Sequence, residues 1–561
     1  MRRASGTIGD RTPPDLYDAP LRFRFCLRVC AGLLALLLAG LSGPDGARAG
    51  PHPDTSRTAP DRYWIMLAER PDPAAGPDRW TAPVSSAYLA RLEALGIEPV
   101  VRSRWFHAVS APLSAAERAR VRALPFVRRV APVAAGGTVA ADSAAPRPQA
   151  PSPPPAALRL GASQSHLARM NAVAPMVRGL DGRGVRVGFL DASFRGLRHP
   201  AFAALRRDGR LVALRDFTDG TQRGNHGMGV ASVAVGRAPG SLVGPAHGAE
   251  VLGATTEYTP SERTVEEDYF VAGLEWLHRR GADVVNVSIG YNTFDEGQDS
   301  YTVEDLDGDT GLTTRAVDRA AALGVTVVVS AGNSGCATPD SCWYYVNTPA
   351  DADSAITVGA VRPDSSLAPF SSRGPTADGR RKPDVVVQGT GVTAAWDDGR
   401  YARVGGTSFA SPQVTGVVAQ MLQVNPALAP TEVRALLRWT ASRADHPDNR
   451  RGWGVVDAEA ALRAAERRAR AAPPAALRAK TPAPNPAADQ VTVPVRVPQH
   501  TASVRLELTS PLGRTVAAER FSVRPGPNWL TLDVSSVPPG LYRYRIQGRR
   551  QLRGGSLAID R

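Results

Sequence analysis

Lysine is nearly absent from the 561-residue chain, with Lys382 and Lys480 its only two, so the formal charge of +14 is carried by arginine. These arginines are dispersed and form no basic stripe interleaved with aromatics, which excludes nucleic acid as an expected partner. Also missing is an apolar run of the ~20 residues needed to span a bilayer. The run at 29–41 follows Arg22, Arg24 and Arg28 and precedes the small-x-small triplet Ala47-Arg48-Ala49. That layout is a signal peptide over residues 1–49 rather than a permanent anchor, and no cysteine follows in a lipoprotein-like position. Cysteine is scarce as well, four in all. Cys26 and Cys30 leave with the signal peptide, so Cys336 and Cys342 are expected to pair in an oxidising compartment. No histidine lies near enough in sequence to complete a zinc site with them.

What is present supports a folded, multi-unit chain: 43% of residues are hydrophobic and 21% charged, and single cores stop growing near ~300 residues. Residues 62–140 read as a small α+β unit, with strands at 63–67 and 99–109 and helices at 84–95 and 114–124. It carries no catalytic cluster. A Pro- and Ala-rich stretch, 141–157, follows as a linker. From 158 to 466, apolar runs at 185–190, 283–289, 325–330, 355–361 and 384–388 alternate with amphipathic helices such as 266–280 and 313–323. This pattern predicts an α/β fold, a parallel sheet with helices on both faces. A second linker, 467–484, leads to residues 485–561. There, period-two segments at 491–497, 503–509, 529–534 and 541–546 predict a small β-sandwich without an ionisable constellation.

Serine is a weak nucleophile, so amide cleavage needs a base, a group orienting that base, and donors for the oxyanion. Asp191 ends the apolar run 185–190, which puts its carboxylate at the carboxyl edge of the sheet. His226 begins the glycine-punctuated helix start His226-Gly-Met-Gly-Val230. Ser408, in Gly405-Gly-Thr-Ser-Phe-Ala-Ser-Pro412, precedes a helical face of Val414, Val417, Val418 and Met421, with Pro412 in the first turn where a missing N–H costs little. A serine there sits among free backbone N–H groups that favour negative charge. Asn333, after the apolar run 325–329, offers a side-chain amide as a second donor.

In the order Asp, His, Asn, Ser, these segments resemble the subtilase family from Gly161 to Leu462. The resemblance implies that Asp191 orients, His226 is the base, Ser408 attacks and Asn333 stabilises the oxyanion. It also implies that Ser288, Ile289 and Gly290, with Ser330, Ala331 and Gly332, flank the pocket for the residue before the scissile bond. Ser193 departs from the family, which usually has glycine two residues after the aspartate; the expected consequence is a changed turn beneath the carboxylate.

By the same resemblance the first unit is an inhibitory propeptide that the enzyme removes, the other reading being a permanent accessory domain. Residues 485–561 resemble the sorting domain of the type IX secretion machinery; carbohydrate-binding or adhesive modules share that pattern. Export follows, with display at the outer membrane surface as one destination. Substrates are proteins or peptides, no cofactor is required and no metal ligand is assigned. The acidic run Glu304 to Asp309 is read either as a structural calcium site or as a solvated loop, since it lacks the EF-hand glycine and final glutamate. The rival functions are a surface binding or adhesive protein on a dead scaffold and an esterase with the same triad. A disulfide between Cys336 and Cys342 would stiffen the loop after Asn333.

Overall fold

Residues rich in valine and poor in polar groups build the central sheet. It has seven strands in the order Val385–Gln388, Ile356–Val361, Thr326–Ser330, Val284–Val287, Arg186–Asp191, Glu250–Thr255 and Leu211–Asp216, and every neighbouring pair is parallel. Arg186–Asp191 is buried throughout, as expected of a strand covered on both faces. This is a computed structural model. It describes residues 62–68, 83–133 and 158–560, apart from short stretches within 219–223, 258–261, 296–299, 397–398, 472–476, 480–484, 498–502, 524–525 and 549–551. The expected signal peptide and the linker 141–157 lie outside the described residues. All described residues belong to one of two compact units, Ala59–Arg561.

Two apolar clusters cover the sheet. On one face the helices His226–Val235 and Ser411–Val424 pack through Val230, Val233, Val414, Val417, Val418 and Met421. On the other lie Val265–Arg279 and Leu312–Ala322, with Phe270, Leu274, Leu277, Val317 and Ala320. The outer strands Leu211–Asp216 and Glu250–Thr255 were not anticipated. Leu211–Asp216 is only half-buried and so lacks the long apolar run that marks a fully buried strand, whereas Glu250–Thr255 is buried from Val251 onward and its glycine is no bar, since Arg186–Asp191 and Ile356–Val361 contain one too.

The N-terminal unit is a four-stranded antiparallel sheet, Val101–Ser103, Ala108–Pro112, Arg62–Leu67 and Val127–Val133, with two helices, Ser86–Glu93 and Ala115–Arg122. The single strand expected at 99–109 is instead a hairpin, because the chain turns at 104–107, where His107 adopts φ 49°. Ser114 caps the second helix by accepting from the Glu117 N–H while Glu117 bonds back.

At the far end, two antiparallel sheets of three and four strands form a sandwich around Val491, Val493, Leu506, Leu530, Leu532 and Ile546. The linker expected at 467–484 is shorter than the composition implies. The helix Ala458–Ala471 runs five residues past 466, since 466–471 is made of alanine, glutamate and arginine, all good helix formers, and Arg478–Ala479 pairs with Gln490–Val497.

Candidate active site

Asp191 closes its strand fully buried, and its Oδ1 lies 2.6 Å from Nδ1 of half-buried His226. The Ala192 N–H also donates to that oxygen, at 2.7 Å. His226 opens its helix, and the following Gly227 is required by close approach: a Cβ there would lie 2.7 Å from the Ser193 carbonyl oxygen. That carbonyl accepts from the Met228 N–H at 3.0 Å, so the turn after Asp191 satisfies one of the helix's free amides. Ser193 itself is buried and its φ is not positive, so glycine is not demanded here and the departure does not spread the carboxylate from the imidazole. Burial opposes the His226 imidazolium. The Asp191 charge and hydrogen bond outweigh it, and together they raise the ring above its ordinary value.

Ser408 lies in the 3₁₀ turn Thr407–Phe409 immediately before the Ser411–Val424 helix, and its Oγ donates to the Ser288 carbonyl at 3.2 Å. Across from it, Asn333 is exposed. Its Oδ1 accepts from the Thr407 N–H at 2.9 Å and Oγ1 at 3.0 Å, which turns the amide nitrogen away from that backbone. The Phe409 ring meets His226 edge-on at 5.7 Å. Thus Asp191, His226, Asn333 and Ser408, far apart in sequence, come together at the carboxyl edge of the sheet.

A buried polar chain fixes the serine turn to the sheet. Thr415 Oγ1 donates to Asn286 Oδ1 at 3.0 Å, and Asn286 Nδ2 donates to Ser288 Oγ at 2.8 Å. Ser288 Oγ lies 2.9 Å from both the Ser408 carbonyl oxygen and Ser411 Oγ. None of Asn286, Ser411 and Thr415 was singled out from sequence. The signal was available, however: an asparagine inside the apolar Val284-Val-Asn-Val287, and hydroxyls four residues apart on one face of a largely apolar helix.

The two expected pocket walls are joined by Asn347, also missed from sequence. Its backbone N–H donates to Ala331 O at 3.2 Å, while Tyr291 and Thr348 exchange backbone bonds of 2.8 and 3.1 Å. A Cβ on Gly290 would come within 3.2 Å of Asn347 Cβ, and one on Gly332 within 3.0 Å of Asn347 Oδ1. The Thr348 carbonyl oxygen, 3.0 Å from a Cβ on Gly290, and Ser372 Oγ, 2.9 Å from one on Gly332, come closer still, and Gly332 has φ +106°, so Asn347 shares in constraining both glycines; its Oδ1 is buried without a hydrogen-bond partner among the described residues. Beyond this wall, Cys336 and Cys342 form a disulfide.

In the acidic run, Asp305 accepts from the Thr302 N–H and Oγ1, and Asp307 from the Asp309 and Thr310 N–H groups and Thr310 Oγ1, all at 2.7–2.9 Å. Two of its carboxylates thus serve the loop's own turns. Elsewhere, Glu257, Glu262 and Glu266 bring carboxylate oxygens within 4.8 Å of one another. Glu257 is held well above the ordinary carboxylate range by burial and by the Glu266 charge, against a bond from Tyr291 at 2.5 Å. That arrangement favours a shared proton at least as well as a cation.

Fold and site together define a serine peptidase on a parallel α/β sheet. Family models match in three places: the subtilase family over 182–454, a Bacteroidota peptidase S8 propeptide domain over 78–147, and a secretion system C-terminal sorting domain over 483–553. The chain is 30% identical to serine protease AprX of Bacillus subtilis (strain 168), a match covering 50% of this chain and 66% of that protein. It is 31% identical to subtilisin DY of Bacillus licheniformis, over 51% of this chain and 93% of the relative. Against subtilisin Savinase of Lederbergia lenta it is 32% identical, over 53% and 97%. Fervidolysin from Fervidobacterium pennivorans has the same fold, with TM-score 0.52 at 20% identity, over 91% of this chain and 78% of that one. The chain belongs to the subtilase family of serine endopeptidases.

Proposed function

We propose that the chain is an exported endopeptidase, made as a self-processed zymogen, in which Asp191, His226 and Ser408 form the catalytic triad. The observation that carries this reading is the Asp191–His226 bond of 2.6 Å beside a serine at a helix N-terminus. With Nδ1–H engaged by Asp191, Nε2 is left as the acceptor that a general base requires. Rotation about χ1 takes the Ser408 hydroxyl from the Ser288 carbonyl to Nε2, and Oγ then attacks the scissile carbonyl. The tetrahedral oxyanion is stabilised by the Ser408 N–H and the Asn333 amide, whose orientation is set by Thr407. His226 passes the proton to the leaving amine, and water then releases the acyl group by the same path in reverse.

The substrate lies between Ser288-Ile-Gly290 and Ser330-Ala-Gly332, with the residue before the scissile bond directed toward Asn347. The N-terminal unit is the enzyme's own inhibitor. Its Trp105, 2% exposed, belongs to the peptidase's apolar cluster with Phe217 and Trp276 and lies 5.7 Å from the His278 ring, and such an anchor is what a bound inhibitory domain needs. The sorting domain directs the chain to type IX secretion and the outer membrane surface. No helix among the described residues is long and apolar enough to cross a membrane.

Expression of the full chain with and without Ser408→Ala tests the assignment. Prodomain release and fluorophosphonate labelling are expected only with Ser408 present. Equal processing and labelling in both proteins would remove Ser408 as the nucleophile.

A further inference from the structure

The edge of the sheet opposite the catalytic groups is occupied. Arg186 begins the strand that Asp191 ends, about 16 Å away at ~3.3 Å per residue. Its guanidinium is buried. It bonds to Glu250 Oε2 at 2.8 and 3.1 Å and donates to the Arg280 carbonyl, while its flat face lies 3.7 Å from the ring centroid of Trp529 in the C-terminal sandwich. Gly281 completes the seat: with φ +80°, a Cβ there would fall 2.6 Å from Trp529 Nε1. In the strand Gly526–Asp533, Leu530 and Leu532 are in the sandwich core. Trp529 therefore projects from the other face, where it serves no purpose in the sandwich itself.

The N-terminal unit reaches the same place. Glu275, on the helix Val265–Arg279, accepts from Ser103 Oγ at 2.5 Å and from the N–H groups of Arg104 and Trp105 at 3.2 and 3.3 Å. Held in that way, Arg104 extends Nη1 to the carbonyl of Asn485, at 3.1 Å. Asn485 is anchored in the sandwich, since its Oδ1 accepts from the Ala558 N–H at 2.9 Å. Prodomain, peptidase and tail thus share one junction.

The junction is not packed like a core. A cavity of about 330 Å³ remains between the units, lined by Gly281, Asp283, Pro426, Leu428, Val495 and Trp529 among others. That is room for about ten waters at ~30 Å³ each. Trp529 Nε1 is buried there with no partner among the described residues. An open gap beside a single aromatic anchor describes a surface built to hold and release rather than to fuse.

We infer that the amino edge of the peptidase sheet is a docking surface for the chain's own C-terminal domain, with Trp529 as its anchor and Arg104 of the prodomain as its second clasp. Departure of the prodomain removes the Arg104–Asn485 contact and leaves the tail held by Trp529, so maturation at the front of the chain loosens the sorting domain at the back. The docking itself is independent of the catalytic assignment; its timing rests on the zymogen reading.

The test uses the full chain carrying Ser408→Ala, in which the prodomain stays attached, with Trp529→Ala and Arg104→Ala added separately. Small-angle scattering and the rate of tryptic cleavage between Arg470 and Arg478 are followed. Trp529→Ala is expected to increase the radius of gyration and speed cleavage at least tenfold, and Arg104→Ala to speed it roughly threefold or more. Trp529 lies outside the sandwich core, and an unchanged far-ultraviolet spectrum confirms that the domain stays folded; should it unfold, Trp529→Phe, expected to loosen the dock by less, replaces it. If no Trp529 variant that stays folded changes dimensions or cleavage, the docking surface is refuted. A response to Trp529→Ala with none to Arg104→Ala refutes the coupling to the prodomain.

Discussion

Replacing Asn286 with leucine, which has the same branching but bulkier end groups, probes how Ser408, the proposed nucleophile, is held. The change removes the bonds to Ser288 Oγ and from Thr415 Oγ1 at a site with no exposure. Thr415 Oγ1 keeps the Ser411 carbonyl at 3.1 Å, and Ser288 Oγ keeps the Ser408 carbonyl and Ser411 Oγ at 2.9 Å. No hydroxyl is orphaned, so the cost is two buried bonds at about 1 kcal/mol each, or ~2 kcal/mol, without the larger penalty of an unsatisfied group. At roughly 2–4 °C per kcal/mol for a domain of this scale, calorimetry of Asn286→Leu in the Ser408→Ala background should find Tm lowered by about 4–8 °C. In the active enzyme the looser turn misplaces Oγ. That affects the chemical step and not the binding of the remote peptide, so kcat should fall ~10- to 100-fold with KM nearly constant. A Tm within 1 °C of the parent, or a raised KM with kcat intact, would refute the claim that this chain of bonds positions Ser408.

The pH profile offers a second check. Since burial alone lowers His226 and the Asp191 charge raises it above its ordinary value, Asp191→Asn should shift the acid limb of kcat/KM to lower pH as well as reduce kcat; a stationary limb would contradict the pairing. Lys382 is buried among the Ala352 and Ala355 carbonyls, Thr357 and Asp384. Burial, only partly offset by Asp384, depresses it from 10.5 to about 8. A lysine depressed on folding adds stability that is fully present above its unfolded pKa and is lost as pH falls through the folded one. Tm should therefore gain from this group between pH 8 and 10.5, and Lys382→Met, which leaves Asp384 paired with Arg438, should flatten that gain; parallel Tm–pH curves would exclude it. Finally, reduction of Cys336–Cys342 should speed thermal inactivation and lower kcat, as the loop beside Asn333 loosens, and unchanged values of both would leave the disulfide without that role.

Much of the α/β core was legible because five of the seven sheet strands are buried and so read as predominantly apolar runs. Leu211–Asp216 was not, because partial exposure removes such a run, while Glu250–Thr255, buried from Val251 onward, lay within reach of the same pattern. The sequence pattern also pointed to Asp191, His226, Asn333 and Ser408, each beside a strand end or a helix start, where backbone geometry constrains residue choice. Asn286, Thr415 and Asn347 escaped because their importance comes from partners more than a hundred residues away, or from the two glycines they touch across the pocket. The hairpin at 101–112 was missed for a local reason: its turn is made by Arg104-Trp-Phe-His107, without the glycine or proline that usually marks one.

The strand order also bears on how fast this chain can fold. Arg186–Asp191 ends up between Glu250–Thr255 and Val284–Val287, both made later in the chain, so its pairings close long loops and a slow search is expected. The helix Val265–Arg279 is the crossover between those two later strands. The prodomain grips it through Asp268, bonded by Trp64, and through Glu275. With the crossover helix held in that way, Trp64 and Ser103 are expected to govern the rate at which active enzyme appears.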